Sequence, residues 1–212
     1  MRCFIAGAGE YCGFYEPVHS DYVIAADAGY AALTAHGITP DLVVGDFDSL
    51  GGVPEHPNIV QTPVEKDDTD MMTAVRQGLS QGCKVFVIDG GLGGRVDHIA
   101  ANLQTLAFIA KMNARGCLLG REMSATAITN GRIDFTADAI GRLSVFCLGE
   151  KAKGVTLTGL KYPLNNATLT CDFPLGVSNE FTGLPSTVSV CEGTLIIMWT
   201  GGADIVERGF FY

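Results

Sequence analysis

A change of hydrophobic period near Gly116 limits what this chain can fold into more than any other feature of its sequence. Before it, short apolar runs (Cys3–Ala6, Tyr22–Ala26, Leu42–Val44, Ile59–Thr62 and Lys84–Ile88) are separated by longer stretches, several of them without internal alternation. Unbroken apolar strands of this kind suit a parallel sheet buried on both faces. Helical patterns are predicted over Thr69–Gln81 and Asp97–Asn113, the second with Ile99, Leu103, Leu106 and Ala110 on one stripe. Beyond Gly116 the runs become short and β-rich: Ser124–Thr129, Arg132–Thr136, Leu143–Leu148, Gly154–Leu157, Ala167–Thr170, Thr187–Val190 and Thr194–Thr200. Asn130-Gly131, between two alternating runs, predicts a tight type I′ hairpin in which both residues take φ above zero. The expected fold class is α/β. A parallel-sheet, Rossmann-like nucleotide-binding domain over residues 1–120 precedes an all-β sandwich over 121–212.

Bulk properties narrow the function. With 47% hydrophobic and 17% charged residues among 212, the chain has the makings of a packed core rather than a disordered tail. A formal charge of −9 argues against nucleic acid or an anionic membrane as partner, because both need clustered Lys and Arg. Seven widely spread cysteines with no C-x-x-C spacing read as buried thiols in a reducing compartment. No basic n-region with a long apolar h-region follows Met1, and no window reaches the roughly 18 apolar residues of a membrane span, so a cytoplasmic protein is expected.

The polar clusters lie just beyond the predicted strands. Asp27 and Gly29 follow Tyr22–Ala26; Asp46 and Asp48 follow Leu42–Val44; Lys66, Asp67 and Asp70 follow Ile59–Thr62; Asp89 through Asp97 follow Lys84–Ile88. In an open α/β sheet, ligands bind at that end of the strands. Asp46-Phe47-Asp48, if extended, points both carboxylates one way and Phe47 toward the core. A lone aspartate is as well explained as a helix cap or turn residue. Asp46, Asp48, Asp70 and Asp97 gathered at one rim would instead repel unless a cation such as Mg2+ sat among them.

Gly90-Gly91-Leu92-Gly93-Gly94 lets backbone amides approach a phosphate, and the helix after it offers its N-terminus. Arg95 would add a charge-assisted contact to phosphate oxygens. No G-x-x-x-x-G-K-[ST] occurs, and Gly7-Ala8-Gly9 lacks the third glycine of a dinucleotide fingerprint.

These segments resemble the thiamine pyrophosphokinase family, particularly its bacterial branch. The likeness rests on Ala26 to Gly29, Pro40 to Ser49, Glu65 to Asp70, Gly90 to His98 with Asn102 after it, and Gly176-Val177-Ser178-Asn179-Glu180. It implies transfer of the terminal pyrophosphoryl group of the co-substrate ATP to the hydroxyl of thiamine, leaving AMP. It also implies a homodimer whose thiamine cleft is shared between subunits. Carried over residue by residue, Asp46, Asp48, Asp70 and Asp97 would arrange magnesium and, with Arg95, the reacting triphosphate. Asp27, Gly29, Lys66, Asp67, Thr69, Gly91 and His98 would line the nucleotide. Tyr162, Ser178 and Asn179 would contact thiamine. Ala28 stands where the family usually has a second glycine; were φ positive there, alanine would be strained by roughly 1 kcal/mol or more. The proton of the acceptor hydroxyl could pass to Asp70 or Asp97. A metal-dependent nucleotide phosphohydrolase and a non-catalytic thiamine or nucleotide sensor are the alternatives.

Overall fold

The computed structural model of the protein describes residues 1–11, 13–48, 51–63 and 67–201. In chain order the elements are β1 (Arg2–Ala6), β2 (Tyr22–Ala26), α1 (Gly29–Ala35), β3 (Leu42–Gly45), β4 (Ile59–Gln61), α2 (Asp70–Ser80), β5 (Val85–Asp89) and α3 (Val96–Lys111). There follow β6 (Arg115–Leu118), β7 (Met123–Thr129), β8 (Arg132–Phe135), β9 (Arg142–Cys147), β10 (Lys151–Thr158), β11 (Leu164–Thr170), β12 (Gly176–Glu180), β13 (Ser186–Ser189) and β14 (Thr194–Thr200). One mixed sheet has the order β12-β9-β14-β7-β6-β5-β1-β2-β3-β4, and a separate antiparallel sheet the order β11-β10-β13-β8. The chain divides into two compact units: Met1–Thr105 with Leu118–Gly120, and Leu106–Cys117 with the described residues from Arg121 onward.

In the first unit β1 pairs in parallel with β2 and β5, β2 with β3, and β3 with β4. β1, β2 and β5 are each buried at four of five positions, which their continuous apolar sequences require. Helices are few. α1 joins β2 to β3 and α2 joins β4 to β5, while no helix joins β1 to β2 or β3 to β4 among the described residues. The strand order reverses beside β1, since β2, β3 and β4 build outward on one side and β5 returns to the other.

Thr69 caps α2, its hydroxyl accepting from the Met72 amide at 3.1 Å, and Met71, Ala74, Val75 and Gly78 form the buried face at helical spacing. Gly78 is a packing requirement, because a Cβ there would lie 2.6 Å from Cε1 of Phe86. On α3 the buried face carries Asn102, Thr105, Leu106 and Ile109, whereas Ile99, Leu103 and Ala110 of the expected stripe are only half-buried. The rotation follows from Asn102, a polar residue turned inward because its amide donates to the Gly91 carbonyl at 2.8 Å.

In the second unit β14 is flanked by β7 and β9, all antiparallel, and β12 pairs with β9. The four-stranded sheet meets this one through Phe135 of β8 and Trp199 of β14, edge to face at 5.8 Å, with Phe181 5.3 Å from Phe135. Trp199 is 1% exposed. The predicted hairpin at Asn130-Gly131 does not form. Asn130 takes φ 47° but Gly131 has no positive φ, and β7 and β8 belong to different sheets. Asn130 instead exchanges bonds with Gly193, its amide donating to the Gly193 carbonyl and its Oδ1 accepting from the Gly193 amide. The alternating pattern on either side is the same whether the two strands pair or cross between sheets. The cysteine expectation is corrected in part: Cys3, Cys83, Cys117 and Cys147 are buried thiols, but Cys171 and Cys191 are exposed.

Candidate functional site

A cleft of ≈ 680 Å³ lies within the first unit at the carboxyl ends of β1, β2, β3 and β5. One wall is acidic. Asp27 follows β2 at φ 51°, anchored by its amide to the Val44 carbonyl at 2.8 Å. Phe47 follows β3 at φ 64° and is 1% exposed. The Asp46-Phe47-Asp48 segment is therefore not extended, as alternation alone suggested. A left-handed turn at a buried aromatic does the aiming, at a cost of about 1–3 kcal/mol. Gly45 allows it, since a Cβ there would lie 3.2 Å from both the Asp27 Cα and the Phe47 ring.

Carboxylate oxygens of Asp27, Asp46 and Asp48 consequently lie within 4.8 Å of one another. This hard-oxygen donor set suits magnesium. Asp70, the first residue of α2, lines the same cleft and accepts from the Thr62 hydroxyl at 3.1 Å. The strain anticipated at Ala28 is absent. Ala28 sits at φ −59°, in ordinary helical conformation, and Asp27 before it carries the positive φ.

The opposite wall is glycine. The Gly7 amide donates to the Asp89 carbonyl at 2.8 Å and the Gly9 amide to the Gly90 carbonyl at 2.9 Å, laying the loop after β1 on the loop after β5. A Cβ on Gly7 or Gly9 would lie 2.7 or 2.5 Å from the Gly90 oxygen, so neither position admits a side chain. Gly7-Ala8-Gly9 lacks the third glycine of a dinucleotide fingerprint, and its position directly after the first strand is the sequence signal for this wall. Asp89 is 4% exposed and accepts from the amides of Tyr15 (3.0 Å) and Gly90 (2.8 Å). Burial pushes its carboxyl above the usual range, against the pull of those two amides.

Arg95 and His98 line the cleft beside Gly91, Gly93 and Gly94. Asp97 is not a lining residue. Its carboxylate pairs with Arg95 at 2.6 Å and accepts from the His98 amide at 3.0 Å. The Arg95 guanidinium holds its carboxyl below the usual carboxylate range. Thr69 and Gly91 line the cleft; Gly29 is buried at the start of α1, where a Cβ would lie 2.0 Å from the Ala6 carbonyl oxygen. Asp67 is exposed and away from the lining, and Lys66 lies outside the described residues.

Tyr162, Ser178 and Asn179 form a second cluster, within the second unit. The Tyr162 side chain is exposed (57%), with Lys161 Nζ 5.5 Å from its ring centre. Ser178 is exposed at φ 60°, its amide donating to the Ser144 hydroxyl at 3.1 Å. Asn179 is buried at 3% exposure, its amide engaged with the main chain of Tyr162.

Residues 17–118 match the family described as "Thiamin pyrophosphokinase, catalytic domain", and residues 132–195 the one described as "Thiamin pyrophosphokinase, vitamin B1 binding domain". A thiamine pyrophosphokinase of Bacillus subtilis (strain 168) is 32% identical over 182 residues, covering 82% of this chain and 85% of that protein. Among solved structures, a thiamine pyrophosphokinase from Bacillus subtilis superimposes with TM-score 0.82 at 28% identity, over 94% of this chain and 99% of the other. One from Geobacillus thermodenitrificans gives 0.80 at 28% identity, over 97% and 100%.

Proposed function

From the premise that the chain belongs to the thiamine pyrophosphokinase family, we propose that the cleft of the first unit binds ATP and is where its β-phosphorus is transferred to thiamine. The reaction is that of the family: pyrophosphate moves from ATP to the thiamine hydroxyl, giving thiamine diphosphate and AMP. The observation that carries the site is a cleft with carboxylates on one wall and close-packed glycine backbone on the other.

Each wall has its part. Amides of the glycine loop and the Arg95 guanidinium bind and orient the triphosphate. Asp27, Asp46 and Asp48 would hold magnesium, which when bound neutralises charge on phosphate oxygens. This grouping takes in Asp27, which the family resemblance implies at the nucleotide, and leaves Asp97 to hold Arg95 in place. Asp70, on the cleft wall, accepts the proton of the thiamine hydroxyl as its oxygen joins the β-phosphorus and the bond to the α-phosphate oxygen breaks. Positioning and electrostatics supply most of the rate, as in phosphoryl transfer generally. His98 lies against the nucleotide, and the exposed Tyr162 ring and Ser178 receive thiamine.

Residues 1–120 form the ATP-binding domain in this reading and residues 121–212 the thiamine-binding and dimerisation domain, a β-sandwich. The separate matches of residues 17–118 and 132–195 support the division, and the order reversal beside β1 supports a Rossmann-like nucleotide site. A cytoplasmic homodimer with the active site shared between subunits completes the proposal. Exposed Phe173, Leu175 and Val177 support self-association. No helix among the described residues is long and apolar enough to cross a membrane. Incubation with ATP, magnesium and thiamine, followed by separation of nucleotides, tests the reaction. AMP and thiamine diphosphate in equal amounts are expected; thiamine-independent phosphate release would mark a hydrolase, and no turnover a sensor.

A further inference from the structure

Asn179 lies where a thiamine contact is expected, yet its side chain is spoken for. Oδ1 accepts from the Tyr162 amide at 2.9 Å and from the Glu180 amide at 2.9 Å, and Nδ2 donates to the Tyr162 carbonyl at 2.7 Å. Those three bonds use the carbonyl oxygen twice and one of two amide protons. At 3% exposure, little of the side chain remains for a ligand.

The backbone explains why Ser178 and Asn179 part company. The register of β12 against β9 shifts between Gly176 and Asn179, a bulge that leaves Val177 and Ser178 both exposed and returns Asn179 to the interior. Bulges re-aim side chains in this way. The left-handed φ of Ser178 and its amide bond to Ser144 fix the bend. Around Tyr162 the neighbours are tied as well. The Lys161 amide donates to the Glu180 carbonyl at 3.0 Å, the Lys161 ammonium pairs with the Glu180 carboxylate at 3.0 Å, and Leu160 bridges Phe181. The result is an exposed aromatic ring on a main chain held at both its N–H and its C=O.

We infer that Asn179 is a positioning residue that sets the Tyr162 ring for thiamine by clamping the Tyr162 main chain, and that it does not itself bind the substrate. The inference rests on the reading above that Tyr162 receives thiamine. Pre-organisation of this kind improves substrate binding by removing the cost of ordering the ring. Asn179 therefore acts only through Tyr162, and its effect vanishes when the ring is gone.

A double-mutant cycle separates the roles. Asn179→Asp keeps the acceptor and replaces the donor with an oxygen that repels the Tyr162 carbonyl; Asn179→Ala, which removes all three bonds, is the second variant. Tyr162→Ala removes the platform. Folding of each is checked by circular dichroism and by KM for ATP, which is expected to stay within about twofold of the parent. Each single substitution is expected to raise KM for thiamine about tenfold, by loss of the ring in Tyr162→Ala and of its clamp in the two Asn179 variants, with kcat changed less. Combining Asn179→Asp with Tyr162→Ala is expected to do no more than Tyr162→Ala alone. Multiplying effects in the double variant, or an unchanged thiamine KM in Asn179→Asp and Asn179→Ala, would overturn the clamp. An unchanged KM in Tyr162→Ala would overturn the thiamine platform beneath it.

Discussion

Replacing Asp46 by Asn tests whether the three carboxylates share a cation, and it does so without an activity measurement. Their oxygens lie within 4.8 Å of one another. At that range two unit charges repel by about 0.9 kcal/mol in bulk water, and physiological salt roughly halves this. Asp46 takes part in two of the three pairs, so Asp46→Asn relieves about 1 kcal/mol in the metal-free protein, a rise in Tm of about 2–4 °C. Asn retains an oxygen for the Asp48 amide, which now donates to Asp46 Oδ1 at 3.3 Å, so the loop is kept. Magnesium reverses the ranking. At a concentration of 100 Kd the parent gains about 2.7 kcal/mol, whereas a site weakened tenfold gains only about 1.4 kcal/mol. Thermal unfolding in EDTA and in magnesium chloride reads both effects. Equal Tm values in EDTA, followed by equal magnesium shifts, would refute the shared site.

Three further outcomes follow from the same geometry. Asp97→Asn should cut AMP formation at least about 100-fold with the fold intact, because Arg95 loses the carboxylate that holds it; near-normal turnover would remove Asp97 from the site. Gly9→Ala should raise KM for ATP more than tenfold, since its Cβ would lie 2.5 Å from the Gly90 oxygen and force the two loops apart; an unchanged KM would dissociate the glycine wall from the nucleotide. Asp89, with its folded pKa raised by burial, binds its proton in the native state before the unfolded chain does. Its contribution to stability therefore rises as pH falls through that raised value toward the unfolded value of about 3.9. Urea titrations from pH 7 to 4 should show the parent gaining on Asp89→Asn, and a constant difference would sink the assignment.

The strands of the first unit were legible to within a residue: β1, β2, β3 and β5 are mostly buried and carry apolar runs, as burial on both faces demands, while the half-exposed β4 shows only the pair Ile59-Val60 before Gln61. α1 was missed because its seven residues begin at a glycine and carry no side-chain cap. β12 was missed as a strand because Gly176-Val177-Ser178-Asn179-Glu180 has neither alternation nor β-branched weight, and its bulge breaks the period of two that a pattern search needs. The acidic wall was legible because aspartates after strands announce themselves. The positive φ values of Asp27 and Phe47 that converge them were not, since an aspartate adopts that conformation only occasionally and a buried aromatic gives no sign of it in sequence. Spacing likewise could not tell Ser178, which faces out, from Asn179, which faces in.

The position of β14 between β7 and β9 has a consequence for biosynthesis. Among the described residues, the strand of this sheet that comes off the ribosome last occupies an inner place in it. β7 and β9 must wait with unpaired edges while 64 residues after Thr129, or 46 after Cys147, are added before the strand that joins them. The first unit, whose strands β1 to β5 are translated by Asp89, faces no such delay. During synthesis the nascent chain thus carries a sheet with a gap at its heart, and the interval before Thr194–Thr200 emerges is when this protein is most exposed to mispairing with a neighbour.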